Sequence, residues 1–119
     1  DFGDVSVAKG NMGSANSSTR SVFLGGQTPT ILNVMEYITI SSTGDVTDFG
    51  DLTTATTGPG KGLSSNSTRG LFVSGYTPSY VVTVEYITIA STGDATDFGD
   101  LAGARSEAGV ASNGHGGLS

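Results

Sequence analysis

The sequence predicts an all-β protein built from tandem four-stranded antiparallel units of about 49 residues, repeated roughly two and a half times in 119 residues. Three observations carry this. The string Asp-Phe-Gly-Asp occurs at Asp1 to Asp4, Asp48 to Asp51 and Asp97 to Asp100. Glu-Tyr-Ile-Thr-Ile occurs at Glu36 to Ile40 and Glu85 to Ile89, and Thr-Arg at Thr19-Arg20 and Thr68-Arg69, both pairs offset by 49. The composition suits short strands and many turns: glycine contributes 19 residues, charged residues are 13%, and hydrophobic residues are 35%. Such a chain can build a core, though not a rich one. A disordered Gly/Ser/Thr chain has a similar composition, but the periodic aliphatic and aromatic segments argue against disorder.

Each unit reads as four strands. The first is a small-residue segment, Met12 to Ser17, matched by Gly62 to Ser67 and again by Gly109 to Asn113. The second is Ser21 to Leu24, matched by Gly70 to Ser74. The third is Leu32 to Ser41, matched by Val81 to Ala90. Ser-Thr-Gly-Asp follows as a turn, and the fourth strand is Thr47 to Leu52, matched by Thr96 to Leu101. The first two Asp-Phe-Gly-Asp strings are 47 apart rather than 49, which places a two-residue insertion at Gly58 to Gly60, a loop by its chemistry. The resulting divisions are 1–9 as the last strand of a preceding unit, 10–56 and 57–105 as whole units, and 106–119 as the start of another.

Alternation along the third strand turns Met35, Tyr37 and Thr39 one way and Glu36, Ile38 and Ile40 the other. Both faces carry bulky apolar groups, so the sheet is expected to be covered on both sides. Four-stranded units of this period, covered on both faces, fit blades of a β-propeller. Tyr37, Tyr86, Phe49, Phe98 and Phe2 recur in register and are expected in the core. No helical stripe is present, so no helix is expected. An array that begins in a fourth strand and stops after a first one leaves open edges. We therefore expect a longer parent chain or assembly of several copies. A first residue that is Asp rather than Met points the same way.

The order Gly25-Gly26, Tyr37, Phe49 and Thr56, then Gly75, Tyr86, Phe98 and Arg105, resembles a kelch-type propeller blade, with Lys9 at the basic position of the first copy. Phe stands where kelch blades usually have Trp. Gly75-Tyr76 replaces the glycine pair, and Thr56 breaks the basic position. More narrowly, the Thr-Arg-Gly-Leu-Phe segment from Thr68 and the run from Glu85 to Leu101 resemble repeats of large virion proteins of tailed phages, notably marine cyanophages. There such units stand in tail-associated or fibre-like proteins. The resemblance implies a virion or extracellular location, with other virion proteins and host surface glycan as partners.

Candidate sites are few. Asp45, Asp48 and Asp51 are spaced by three, as are Asp94, Asp97 and Asp100, and their oxygens suit calcium. Known calcium loops space their ligands by two, and turn aspartates more often bond backbone N–H groups. Arg20 and Arg69 either tie one unit to the next or recognise a sugar or carboxylate, and Arg105 joins them as a partner for the Asp-rich turns. Tyr76 and Tyr80 occupy a loop where the first unit has Gln27 and Ile31, and suit either partner contact or packing on a neighbouring unit. His115 is the only histidine and reads as a loop variant. Two glycosylation sequons, at Asn16 and Asn66, fall at non-equivalent repeat positions.

The exclusions are firmer. A net charge of −6 with five Lys and Arg disfavours nucleic acid and anionic membrane surfaces. The absence of cysteine excludes disulfides and thiolate metal sites, including the copper chemistry of some kelch-type oxidases. No apolar run approaches a membrane span, and no phosphate loop or catalytic constellation appears. No cofactor is expected. The reading is a non-enzymatic repeat scaffold of a phage virion that binds protein or glycan through its loops. Its alternatives are a secreted or surface adhesion module and, more weakly, a fragment of an enzyme whose catalytic residues lie elsewhere.

Overall fold

The computed structural model describes residues 1–57, 62–105 and 108–112. Those residues form eight strands and no helix. Strands β1 (Gly13–Asn16), β2 (Arg20–Leu24), β3 (Val34–Thr39) and β4 (Thr47–Asp51) make one antiparallel sheet in chain order. Strands β5 (Gly62–Ser65), β6 (Arg69–Val73), β7 (Thr83–Thr88) and β8 (Thr96–Asp100) make a second. All eight coincide with strands read from the sequence: six lie within the expected limits, while β2 and β6 each begin one residue earlier, at Arg20 and Arg69. The insertion at Gly58 to Gly60 and the position of His115 lie outside the described residues.

Register explains the repeated Asp-Phe-Gly-Asp string. Met35 pairs with Gly50 and Glu36 with Asp48, so Phe49 is an extra residue in β4, a β-bulge. Val84–Gly99 and Glu85–Asp97 repeat it around Phe98. The bulge brings Phe49 edge-on to Tyr37, with ring centroids 6.0 Å apart. Phe98 and Tyr86 reproduce the pair at 6.2 Å.

The two sheets share one core. From the first come Ala15, Val22, Leu24, Met35 and Phe49; from the second, Phe72, Ile87, Ile89 and Ala95. Alternation makes these the two facing surfaces, so the side of β1–β4 that carries Met35 lies on the side of β5–β8 that carries Glu85 and Ile87. β1 packs near β5 and β6.

Four expectations need correction. Asp1 to Asp4 form no strand: among the described residues no segment pairs with them as β3 pairs with β4. Residues 109–112 form none either, and Asn113 lies outside the described residues. Core membership by register also fails at two rings: Phe49 is 2% exposed, but Phe98 is 60% and Phe2 40% exposed. Phe49 is covered by a following sheet; among the described residues no sheet covers Phe98. Finally, the glycine pair of the second unit is displaced by one: Ser74 stands where Gly25 does, and both take positive φ.

Candidate functional site

The residues that repeat most faithfully build the joint between the sheets. At its outer end, the turn before β8 docks on the bulge of β4. Gly93 N–H donates to Phe49 C=O at 2.6 Å, and Ala95 N–H to Asp51 C=O at 2.8 Å. The Asp94 carboxylate accepts from Asp51 N–H at 3.0 Å. Residues 1–4 make the same contacts with the turn before β4. Gly44 N–H donates to Phe2 C=O, Val46 N–H to Asp4 C=O, and Asp4 N–H to the Asp45 carboxylate. Asp45 and Asp94 are thus backbone acceptors at a joint, and Asp97 accepts from Gly99 N–H. The spacing-of-three acids are not gathered together. Among the described residues, no group of three or more His, Cys, Asp or Glu could hold a metal ion.

Arg20 crosses the joint. Its guanidinium lies 4.1 Å from the centroid of Tyr37 and donates through Nη1 to Ile89 C=O of the other sheet at 2.9 Å. Arg69 lies over Tyr86 in the same way at 4.4 Å, but is exposed on the open side of the second sheet. Arg105 is exposed, and its Nε donates to Gly103 C=O. The two stacked arginines give a comparison within one chain. Arg20→Ala is expected to cost about 1.5 kcal/mol, for a charged hydrogen bond and a cation–π contact. Arg69→Ala is expected to cost about 0.5 kcal/mol, because only the stacking is lost. Urea unfolding of the two variants checks the ranking.

Two buried glutamates stand at equivalent positions of β3 and β7, Glu36 on the side of its sheet away from the joint and Glu85 on the side facing it. The Glu36 carboxylate meets Lys9 Nζ at 2.6 Å, and their side chains are 4% and 1% exposed. Its counterpart Glu85 accepts instead from the N–H of Thr53 at 2.7 Å and from the Thr53 hydroxyl. Neither contact was anticipated from the sequence. The available signal was a Glu inside an otherwise apolar strand, together with the basic residue recurring at Lys9 and Arg105.

Tyr76 and Tyr80 lie together on the connection between β6 and β7. Their rings meet edge to face at 5.4 Å, and both are exposed. The backbone beneath is well held. Tyr76 exchanges both backbone hydrogen bonds with Thr57, and Thr77 N–H donates to Ser79 C=O while the Thr77 hydroxyl accepts from Ser79 N–H. Thr28 and Thr30 brace the equivalent loop of the first unit. The second loop therefore offers two aromatic faces at a small ordering cost, suited to stacking on a sugar ring or an apolar side chain.

No protein-family model matches the chain, and no curated protein matches it.

Proposed function

We propose that the chain is a stretch of a non-enzymatic repeat scaffold, a β-propeller of kelch-type blades in the tail or fibre of a phage virion. The observation that carries this reading is where repetition is spent. The positions that recur in register, including Phe49, Gly50, Asp94 and Arg20, serve the joint between sheets. Such a joint suits face-to-face stacking of successive blades. The loops differ between units, and the Tyr76–Tyr80 pair is the feature we assign to partner or glycan contact. The likeness of the repeat to virion repeats supports the location. The alternative of a secreted or surface adhesion module draws on the same tyrosine pair.

Mass spectrometry of purified phage particles tests the location. Peptides of this chain should co-purify with tail structures; their recovery only from cell surfaces would favour the adhesion module. The loop has its own test. Changing both Tyr76 and Tyr80 to Ala should shift the unfolding temperature by only a few degrees, because both rings are exposed. Binding to immobilised host-surface glycans should be lost. Unchanged binding would remove the loop from the proposal.

A further inference from the structure

The loops between the second and third strands of the two units are built on one frame. Gln27 exchanges both backbone hydrogen bonds with Gly10, at 2.9 Å each, as Tyr76 does with Thr57 at 2.9 and 3.1 Å. Across an antiparallel bridge Gln27 then stands opposite Ile31, and Tyr76 opposite Tyr80. The same bonds close each bridge. Leu32 N–H donates to Gly26 C=O and Thr28 N–H to Thr30 C=O in one loop, Val81 N–H to Gly75 C=O and Thr77 N–H to Ser79 C=O in the other. These bonds flank the facing pair rather than join it, which is the register that brings opposite side chains closest. Within the shared frame only the chemistry of the pair changes, from an amide and an aliphatic to two phenols.

A following unit does not cover this loop. Gln27, Pro29 and Thr30 are exposed although the whole second sheet comes after them. The 39% and 51% exposure of Tyr76 and Tyr80 therefore belongs to the loop itself. Their rings meet edge to face, so no slot is left between them for a proline ring. The Thr77 and Ser79 N–H groups are spent inside the turn, and Pro78 has none. A peptide finds neither a groove nor a run of donors. Ring faces and hydroxyls remain, the combination that holds the C–H face of a pyranose and its rim of hydroxyls. Residues 25–33 and 74–82 contain no charged side chain, in a chain of net charge −6. An acidic sugar finds no cation in the loop, and a metal ion finds no carboxylate.

We propose that Tyr76 and Tyr80 bind one neutral hexopyranose unit of a glycan without a metal ion, and that the facing pair is the position at which each unit sets its ligand. This rests on the loop contact assigned above and adds its substrate class. A ring face takes the axial C–H groups of the sugar. The phenol hydroxyls and the Ser79 hydroxyl, each able to donate and accept, meet the hydroxyls around it. Gln27 and Ile31 offer no ring face, so the first unit does not bind the sugar. The backbone bonds beneath both pairs are the same, so the pairs are interchangeable and either one can be set on the other's frame.

Saturation-transfer NMR of the whole chain tests it, with methyl β-galactopyranoside and methyl β-glucopyranoside as probes and EDTA present. Irradiation of the tyrosine rings should transfer to the ring C–H protons of at least one glycoside, with a Kd on the order of 1 mM for a ligand of this size. Tyr76→Gln with Tyr80→Ile installs the first loop's own pair. It should weaken binding about tenfold or more and leave the unfolding temperature within a few degrees. Gln27→Tyr with Ile31→Tyr should double the number of sites per chain. Methyl β-glucuronide should bind no better than the glucoside. Silence toward both neutral glycosides overturns the proposal, as does transfer that Tyr76→Gln with Tyr80→Ile leaves intact, or tighter binding of an oligoproline peptide. A folded Gln27→Tyr, Ile31→Tyr chain that gains no site overturns the shared frame. Silence toward the glycosides, together with surface binding that the alanine pair abolishes, would remove the sugar class and keep the loop contact.

Discussion

Lys9→Met is expected to destabilise the chain by about 3 to 5 kcal/mol, the typical result of leaving one member of a buried ion pair without its partner. Lys9 and Glu36 are almost wholly buried and their charged atoms lie 2.6 Å apart. Two charges withdrawn from water gain little net stability from each other, but one alone bears its full desolvation cost. The cost should therefore disappear when both go: Lys9→Met with Glu36→Leu should restore most of the loss. Glu85 supplies the contrast. Its donors are the neutral N–H and hydroxyl of Thr53, so Glu85→Gln keeps an acceptor and strands no cation. That change should cost about 1 kcal/mol or less. Urea denaturation followed by tyrosine fluorescence, in a chain without tryptophan, gives all three values against the parent chain. A loss in Lys9→Met that the second substitution fails to relieve would show that the lysine stem, rather than the charge balance, holds residues 1–9 in place.

The fold was legible because repetition marks strands whatever their neighbours do. Alternation at Met35 to Ile40 and the turn at Ser42 to Asp45 are local, and β3 and β4 follow from them. What covers a strand is not local. Phe49 and Phe98 sit in the same string and make the same ring contact, yet one is buried and the other exposed, because burial depends on a following sheet. The role of the aspartates was hidden for a related reason. Asp45 and Asp94 bond backbone groups 41 and 43 residues away, a distance that no spacing of three can encode. Arg20 was half legible: a guanidinium tying one unit to the next was foreseen, but its acceptor, the carbonyl of Ile89, carries no side-chain signature. The Lys9–Glu36 pair needed both kinds of knowledge, a strand face and a distant segment.

Gly50→Val should be the most damaging change at the joint, and the three Asp-Phe-Gly-Asp strings allow a graded test of why. Gly50 has φ +136, and a Cβ there would lie 2.5 Å from the carbonyl carbon and oxygen of Gly93. The obstacle is backbone, held by the Phe49–Gly93 and Asp51–Ala95 hydrogen bonds, so no rotamer can move aside. Overpacking and the positive φ together should cost about 3 to 5 kcal/mol, and part the sheets at their outer end. At Gly3 the collision, with Gly44, is at least as close, but the displaced element is a short segment outside any strand. The loss there should be about 1 to 2 kcal/mol, mostly that of its hydrogen bonds. At Gly99 only backbone strain remains, about 1 kcal/mol. Thermal unfolding of the three valine variants should rank Gly50 above Gly3 above Gly99. Equal losses at all three would mean that the glycine serves only the conformation of its own bulge. The expected gradient would mean that it is kept as a socket, closed at Gly50 and still open at Gly99.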